Sequence, residues 1–103
     1  MNVIAVKTLR AFWSRHPDAE QPLKTWHALV RKSEWATPSE AVRAFPKASL
    51  LRNQRICFHI GGNKYRLITK VEYAFGIVFI LWIGTHAEYD RIDANTIEYH
   101  GQD

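Results

Sequence analysis

The residues best suited to chemistry on a charged substrate lie between Arg55 and Asp90. Arg66 carries a planar guanidinium whose donors match phosphate oxygens, and its charge persists at any working pH. Lys64 and Lys70 lie two residues before it and four after it, so a strand would direct all three side chains to one face. Preorganised cations of this kind stabilise the negative charge that develops on a phosphorus centre in a transition state.

His86 and Tyr89 are the candidates for proton transfer. The sequence THAE at positions 85–88 fits a capping box, in which the Thr85 hydroxyl and the Glu88 carboxylate satisfy the first backbone amides of a helix. His86 would then be the first helical residue, and Tyr89, three residues later, would project from the same side. An imidazole is the commonest general acid or base, and a phenol can donate a proton or stack on a base. Glu88 is interpreted as a cap rather than as a catalytic carboxylate.

Four other side chains of this stretch could contact the same ligand or pack beside it. Arg55 and His59 are predicted to lie on the basic strand face and to contact a polyanion, although a solvated histidine fits position 59 equally well. Asn63 is interpreted mainly as a turn residue, and its side chain could also contact the ligand. Cys57 is interpreted as buried packing rather than as a nucleophile. The sequence contains no glycine-rich phosphate loop, HExxH motif or Ser/His/Asp pattern.

A predicted β-hairpin positions these residues. Strands Arg55–Ile60 and Lys64–Val71 flank Gly61-Gly62, two residues that tolerate the positive φ angles of a tight turn. A two-residue or a four-residue loop gives the same alternation, because side chains change face with a period of 2. One face would then be apolar, with Ile56, Phe58, Ile60, Tyr65 and Leu67. The other would be basic, with Arg55, Cys57, His59, Lys64, Arg66 and Lys70.

The remaining elements predict an α+β domain with helices on one face of an antiparallel sheet of about four strands. Ile77–Ile83 is apolar at every position, which is typical of a central strand covered on both faces. Met1–Ala5 favours a strand, and apolar spacing predicts helices over Val6–His16 and Glu20–Glu34, the latter with a stripe of Leu23, Trp26, Leu29 and Val30. A short helix is expected over Thr37–Phe45. Lys47–Gln54 is expected to be a polar connection, and the chain from Asn95 onward to be loosely ordered.

Composition restricts the class of protein. The chain has 103 residues, 47% of them hydrophobic, which suits one globular domain over residues 1–103. Net charge is +4, and residues 41–71 contain seven Lys or Arg and no acidic residue, which predicts a polyanionic partner such as nucleic acid. A single cysteine fits a reducing compartment, and no stretch has the pattern of a secretory signal or a membrane helix. A cytoplasmic location is therefore expected.

Two motifs resemble one known family. GGNKYRLI at residues 61–68, followed by an apolar strand and IGTHAEYDRIDA at residues 83–94, is similar to the HigB-type toxins of bacterial type II toxin–antitoxin modules, within the RelE/ParE-like superfamily. The resemblance implies a RelE-like fold of two N-terminal helices on a sheet with a short C-terminal helix. It also implies a metal-independent endoribonuclease without cofactors that cleaves mRNA in the ribosomal A site. The implied partners are a HigA-type antitoxin and, only through that complex, operator DNA, with no membrane partner.

The resemblance also assigns roles to residues of this chain. In the superfamily, the strand arginine of the YRL pattern contacts the scissile phosphate, and in this chain that arginine is Arg66. A histidine or tyrosine near the C-terminus often serves as acid or base, which indicates His86 and Tyr89. Lys64, Asn63, Lys70, Arg55 and His59 would contact RNA. Two other functions compete with this one. A ParE-like toxin of DNA gyrase would use Ile97 to Tyr99 as an interaction arm, whereas a plain RNA-binding module would need stacked aromatics that the hairpin lacks.

Overall fold

One mixed sheet of five strands organises the part of the chain that the structure, a computed structural model, describes: residues 1–98. The elements in chain order are β1 Asn2–Ile4, α1 Val6–Arg15, a 3-10 turn at Pro17–Ala19, α2 Glu20–Lys32, α3 Pro38–Ala44, β2 Ser49–Leu50, β3 Arg55–Ile60, β4 Tyr65–Glu72, a 3-10 turn at Tyr73–Phe75, β5 Ile77–Thr85 and α4 His86–Tyr89. The strand order in the sheet is β1-β5-β4-β3-β2.

The α+β class with helices on a sheet is confirmed, but the strand count and direction differ from the expectation. β1 runs parallel to β5, with Val3 opposite Val78, so the sheet is mixed rather than antiparallel. The expected polar connection over Lys47–Gln54 contains β2, which adds a fifth strand beside β3. Strands of two or three residues are too short for periodicity to predict, because their pairing depends on which edge lies nearby.

The two long helices pack on one face of the sheet, as expected. Leu9 and Phe12 of α1 and Trp26 of α2 are buried against sheet residues such as Phe58 and Leu67. Pro17 follows the end of α1, where it disfavours helical geometry in the preceding residue. One residue of the predicted α2 stripe is misplaced, since Leu29 is 50% exposed.

The β3–β4 hairpin has the predicted alternation and a four-residue loop. Ile60 pairs with Tyr65 and Phe58 with Leu67, so the apolar set faces the helices. The outer face of the sheet, opposite the helices, carries Arg55, Cys57, His59, Arg66 and Lys70. Lys64 was expected there but lies in the loop, because β4 begins one residue later than predicted.

β5 lies inside the sheet between β1 and β4, as its apolar sequence predicted, and it contains an irregularity that the sequence did not indicate. Ile68 pairs with Trp82 while the next residue, Thr69, pairs with Ile80, which leaves Leu81 as an extra residue. A bulge of this kind changes which side chains face each side of the sheet. The bulge directs Trp82 to the outer face, where the side chain is only partly buried.

The chain after α4 returns across the other end of the sheet. The Arg52 amide donates to Asn95 Oδ1 at 2.8 Å, and Arg55 Nη1 donates to the carbonyl of Ala94 at 3.0 Å and to that of Ile97. Residues 95–98 are therefore bound to the sheet, and the expected loose order of this segment is wrong for them. Tyr99, named for the gyrase alternative, lies outside the described residues.

Candidate active site

Arg66 is the centre of a cluster on the outer face at the turn end of the hairpin. Its neighbours across the sheet are His59 on β3 and Gly84 on β5. Its Nη1 donates to the carbonyls of Asn63 at 3.1 Å and Tyr65 at 3.3 Å. Arg66 is on the face expected for it, but it is 6% exposed rather than open to solvent. Backbone carbonyls thus fix the guanidinium before any ligand binds.

His59 lies directly opposite Arg66 and is held in its neutral form. Burial lowers the pKa of His59, and the charge of Arg66 lowers it further, with smaller contributions in the same direction from Lys47 and His86. A hydrogen bond with the Asn63 side chain opposes this shift. Opposed residues of a hairpin bring their Cβ atoms to about 5 Å, so the imidazole and the guanidinium can reach one small anionic group.

Tyr89 reaches over the same face from α4. Burial raises its pKa, as does its hydrogen-bonded neighbour Cys57, while the charge of Arg66 opposes the shift. The Tyr89 phenol is therefore protonated at neutral pH and available as a donor. Burial likewise raises the pKa of the Cys57 thiol, and Cys57 is almost fully covered. This environment agrees with the interpretation of Cys57 as buried packing.

Trp82 is a site residue that the sequence reasoning missed. A Cβ built on Gly84 would come within 2.6 Å of Trp82 Cζ2 and 2.8 Å of Glu88 Oε1, so the indole ring lies over the glycine backbone beside Arg66. The ring centroids of Trp82 and Tyr89 are 6.3 Å apart. The fully apolar sequence of β5 was the available signal, but only the bulge brings this tryptophan to the outer face.

His86 begins α4 at the rim of the cluster. Its backbone amide donates to the Lys64 carbonyl at 3.0 Å, which attaches α4 to the hairpin loop. Its side chain is 54% exposed, and its Nε2 lies 3.9 Å from Asp90 Oδ2. The predicted capping box is present: Glu88 Oε1 accepts from the Thr85 amide at 2.8 Å, and the Glu88 amide donates to Thr85 Oγ1 at 3.1 Å. The interpretation of Glu88 as a cap is confirmed.

Lys64 and Lys70 do not flank Arg66 as expected. The Lys64 ammonium lies 2.7 Å from Asp18 Oδ2, and the same carboxylate accepts from the Tyr65 hydroxyl. Both hydrogen bonds lower the pKa of Asp18. Lys70 lies four residues along β4 from Arg66, about 13 Å away at the strand rise, with its ammonium 3.7 Å from Glu72.

Arg55 is a structural residue rather than an exposed contact. It is 6% exposed, and its guanidinium binds two carbonyls of the C-terminal segment and lies 3.6 Å from Glu98 Oε1. The nucleic-acid contact predicted for Arg55 is therefore unsupported, because segment 94–98 covers the side chain. Pairing with Lys70 puts Arg55 at the far end of the outer face from Arg66.

The cluster at the turn end therefore contains five residues of the predicted set, His59, Asn63, Arg66, His86 and Tyr89, together with the unpredicted Trp82. It offers a fixed cation, a neutral imidazole, a protonated phenol and an indole face. Within residues 1–98, no three His, Cys, Asp or Glu side chains are grouped to hold a metal ion. No helix of that described part is long and apolar enough to cross a membrane.

Fold and site together define a small α+β protein with a fixed guanidinium and a cluster of polar and aromatic side chains on the sheet face opposite its helices. The model of the HigB toxin family, described as the RelE-like toxic component of a toxin–antitoxin system, matches residues 19–92. The chain belongs to this family, as the two motifs of its C-terminal half predicted. A toxin of gyrase is not favoured by this assignment.

Curated relatives extend the similarity over nearly the whole chain. An mRNA interferase HigB of Escherichia coli O6:H1 is 26% identical over 89% of this chain and 91% of its own length. The mRNA interferase toxin HigB of Escherichia coli strain K12 is 24% identical over 91% of this chain and 92% of its own. The mRNA interferase HigB of Shigella flexneri has the same identity and coverage.

Proposed function

We propose that this toxin is a ribosome-dependent endoribonuclease that cleaves mRNA and so inhibits translation. The observation that carries the proposal is the Arg66 guanidinium, which is fixed by the Asn63 and Tyr65 carbonyls and interacts electrostatically with the His59 imidazole and with the Tyr89 phenol. Phosphodiester cleavage needs these groups: a cation for the phosphate, a proton acceptor and a proton donor. The names of the relatives, all mRNA interferases, support the same activity.

In the proposed reaction a ribose 2′-oxygen forms a bond to the adjacent phosphorus, and the bond from phosphorus to the 5′-oxygen breaks. His59 accepts the proton of the 2′-hydroxyl, and Tyr89 donates its phenolic proton to the departing 5′-oxygen. The products are a 2′,3′-cyclic phosphate and a 5′-hydroxyl. Arg66 stabilises the charge on the non-bridging oxygens. Protein groups supply every proton and charge in this scheme, so it needs no metal ion.

His86 is the second candidate for proton acceptor, since it lies at the rim of the cluster and interacts electrostatically with His59. We favour His59, because it is the direct cross-strand partner of Arg66, whereas the His86 side chain is 54% exposed. Asn63 would contact the bound RNA from the loop. Lys64 and Lys70 would contact phosphates further along the RNA by exchanging their ion pairs with Asp18 and Glu72 for the phosphate.

The proposed partners follow from the same assignment. An antitoxin would hold the toxin inactive, and operator DNA would be bound only through the complex with that antitoxin. The mRNA substrate would be presented in the ribosomal A site, in the cytoplasm. The basic stretch over residues 41–71 supports a nucleic-acid partner, because it contains no acidic residue.

Primer extension on a defined message tests the proposal, with and without translating ribosomes. Cuts in register with codons, seen only with ribosomes and lost in Arg66→Ala, are expected. Cuts without ribosomes would make the protein a free ribonuclease. An Arg66→Ala protein that stays folded and still cuts would overturn the site, and an absence of cuts in every case would overturn the activity and call for a gyrase supercoiling assay.

A further inference from the structure

A second cleft adjoins the candidate active site along the free edge of β5. It lies between the C-terminal end of α1 and the chain around α4, and encloses about 320 Å³. This is within the range of small-ligand sites, roughly 300–1,000 Å³. The polar side chains that line it are Arg15, His16, Glu88 and Arg91, and Trp82 forms part of its wall. The cleft is therefore mainly polar and shares an aromatic residue with the Arg66 cluster.

The charges of the cleft favour an anion. Arg15 and Arg91 are both exposed, and neither forms an ion pair with a described residue. The single carboxylate in the lining, Glu88, is already hydrogen-bonded to the Thr85 amide through Oε1. His16 is stacked on Phe12, with ring centroids 4.4 Å apart, and so presents a fixed imidazole edge. The lining therefore has two positive charges without an ion pair in the described part of the chain and one negative charge, so its net charge is positive.

Trp82 connects this cleft to Arg66. Its ring lies over Gly84, which is the cross-strand neighbour of Arg66. Neighbouring strands are about 4.8 Å apart, so a base stacked on the indole would lie within one nucleotide of a phosphate at Arg66. Sites for single-stranded RNA combine stacking on aromatic rings with cations along the backbone. Half-buried Trp82 beside two arginines without a described ion pair has this composition.

We propose that this cleft binds the RNA nucleotide next to the scissile phosphate. Its base stacks on Trp82, and its own phosphate lies between Arg15 and Arg91. The inference rests on the proposed function and adds to it a site outside the Arg66 cluster. RNA is favoured over an acidic protein segment because the two cations adjoin an aromatic face that continues to Arg66.

Fluorescence anisotropy tests the proposal with a labelled single-stranded RNA carrying 2′-O-methyl groups, which the protein cannot cut. The test variant is Arg15→Gln with Arg91→Gln. The matched control is Arg10→Gln with Arg31→Gln, which removes the same charge from two arginines that flank His27. Each phosphate that the protein neutralises contributes about 0.7 to the slope of log affinity against log salt, so the test variant, which leaves one phosphate without its cations, should lower that slope by about 0.7 and the control should not.

Trp82 is tested in the same assay. Trp82→Ala should weaken RNA binding about tenfold, because one stacked base is lost, and Trp82→Phe should recover most of the affinity. On translating ribosomes, the double arginine variant should raise the KM for message cleavage and leave kcat near that of the wild type, because the cleft binds substrate but transfers no proton.

Four outcomes would contradict the inference. Equal weakening in the test and control variants would mean that overall charge drives binding, which overturns the inference. Unchanged RNA affinity with loss of neutralisation by a co-expressed antitoxin would make the cleft a protein-docking site and also overturn it. If the wild type cuts mRNA and the test variant binds and cuts identically, the inference alone fails. If the wild type neither cuts nor binds RNA, the proposed function fails with it.

Discussion

Arg66 and His59 are direct partners across the β3–β4 hairpin, so a permanent cation and a titratable imidazole share one pair of positions on the outer face. Burial and the charge of Arg66 both lower the pKa of His59, and the Asn63 hydrogen bond opposes them. A histidine in this setting is a proton acceptor at neutral pH. The hairpin register alone creates the relationship, because the two residues are seven positions apart in the chain.

The pH dependence of stability should report this pair. The folded-state pKa of His59 lies below the usual value of 6.5, so its contribution to stability is fully present above pH 6.5 and is lost as pH falls through the folded-state pKa. Urea unfolding at pH 7.5 and 5.5 should show lower stability at the acid value, with a smaller difference in His59→Gln. An equal difference in the variant would contradict the assignment. Cleavage should also fall on the acid side in the wild type.

Tyr89→Phe should separate proton donation from binding. The variant keeps the ring beside Trp82 and loses the hydroxyl that approaches Cys57 and Arg66, so RNA affinity should be retained. The kcat for cleavage should fall by about 10²–10⁴, the usual contribution of a general acid. Single-turnover cleavage on programmed ribosomes measures this, with Tyr73→Phe, a half-buried tyrosine beyond the far end of β4, as the control. A kcat within twofold of the wild type would exclude Tyr89 as the donor.

Gly84→Ala should disturb the indole and, through it, the site. The added methyl would come within 2.6 Å of Trp82 Cζ2, which forces the ring to move. We expect a loss of about 1–3 kcal/mol in the free energy of unfolding, as for other overpacked positions, together with weaker RNA binding. Adding Trp82→Phe should restore part of the stability, since the smaller ring leaves room for the methyl while Glu88 Oε1, 2.8 Å from it, must still move. Unchanged stability in the single variant would show that the ring does not occupy this position.

Arg55→Met should lower stability without acting through RNA contact. The variant loses the hydrogen bonds to the Ala94 and Ile97 carbonyls, and bonds of this charged type contribute about 1.5–3 kcal/mol. The salt slope of RNA binding should be unchanged, in contrast to that of the cleft variant. A reduced salt slope in the Arg55→Met variant would support the nucleic-acid contact that the sequence predicted for Arg55.

Local patterns in the sequence were sufficient for the elements that carry the site. The alternation from Arg55 to Val71 predicted both hairpin faces, because side chains in a strand change sides with a period of 2. The residues THAE at 85–88 predicted the start of α4, since a capping box is complete within one turn. Both inferences hold because the interacting groups lie close together in the chain.

The composition of the site depended on contacts between distant segments. Lys64 is bound to Asp18, and Arg55 is bound to residues 94–98. Each pair is separated by about forty residues in the chain, so the sequence around Lys64 and Arg55 did not indicate that these cations have partners. Trp82 faces outward because the single extra residue at Leu81 shifts the β4–β5 register. The sequence by itself determined which strands, faces and helix ends could present an arginine, a histidine and a tyrosine. Only the tertiary structure decided which cations remain free and which aromatic joins them, because pairing and register are settled when distant strands and loops pack together.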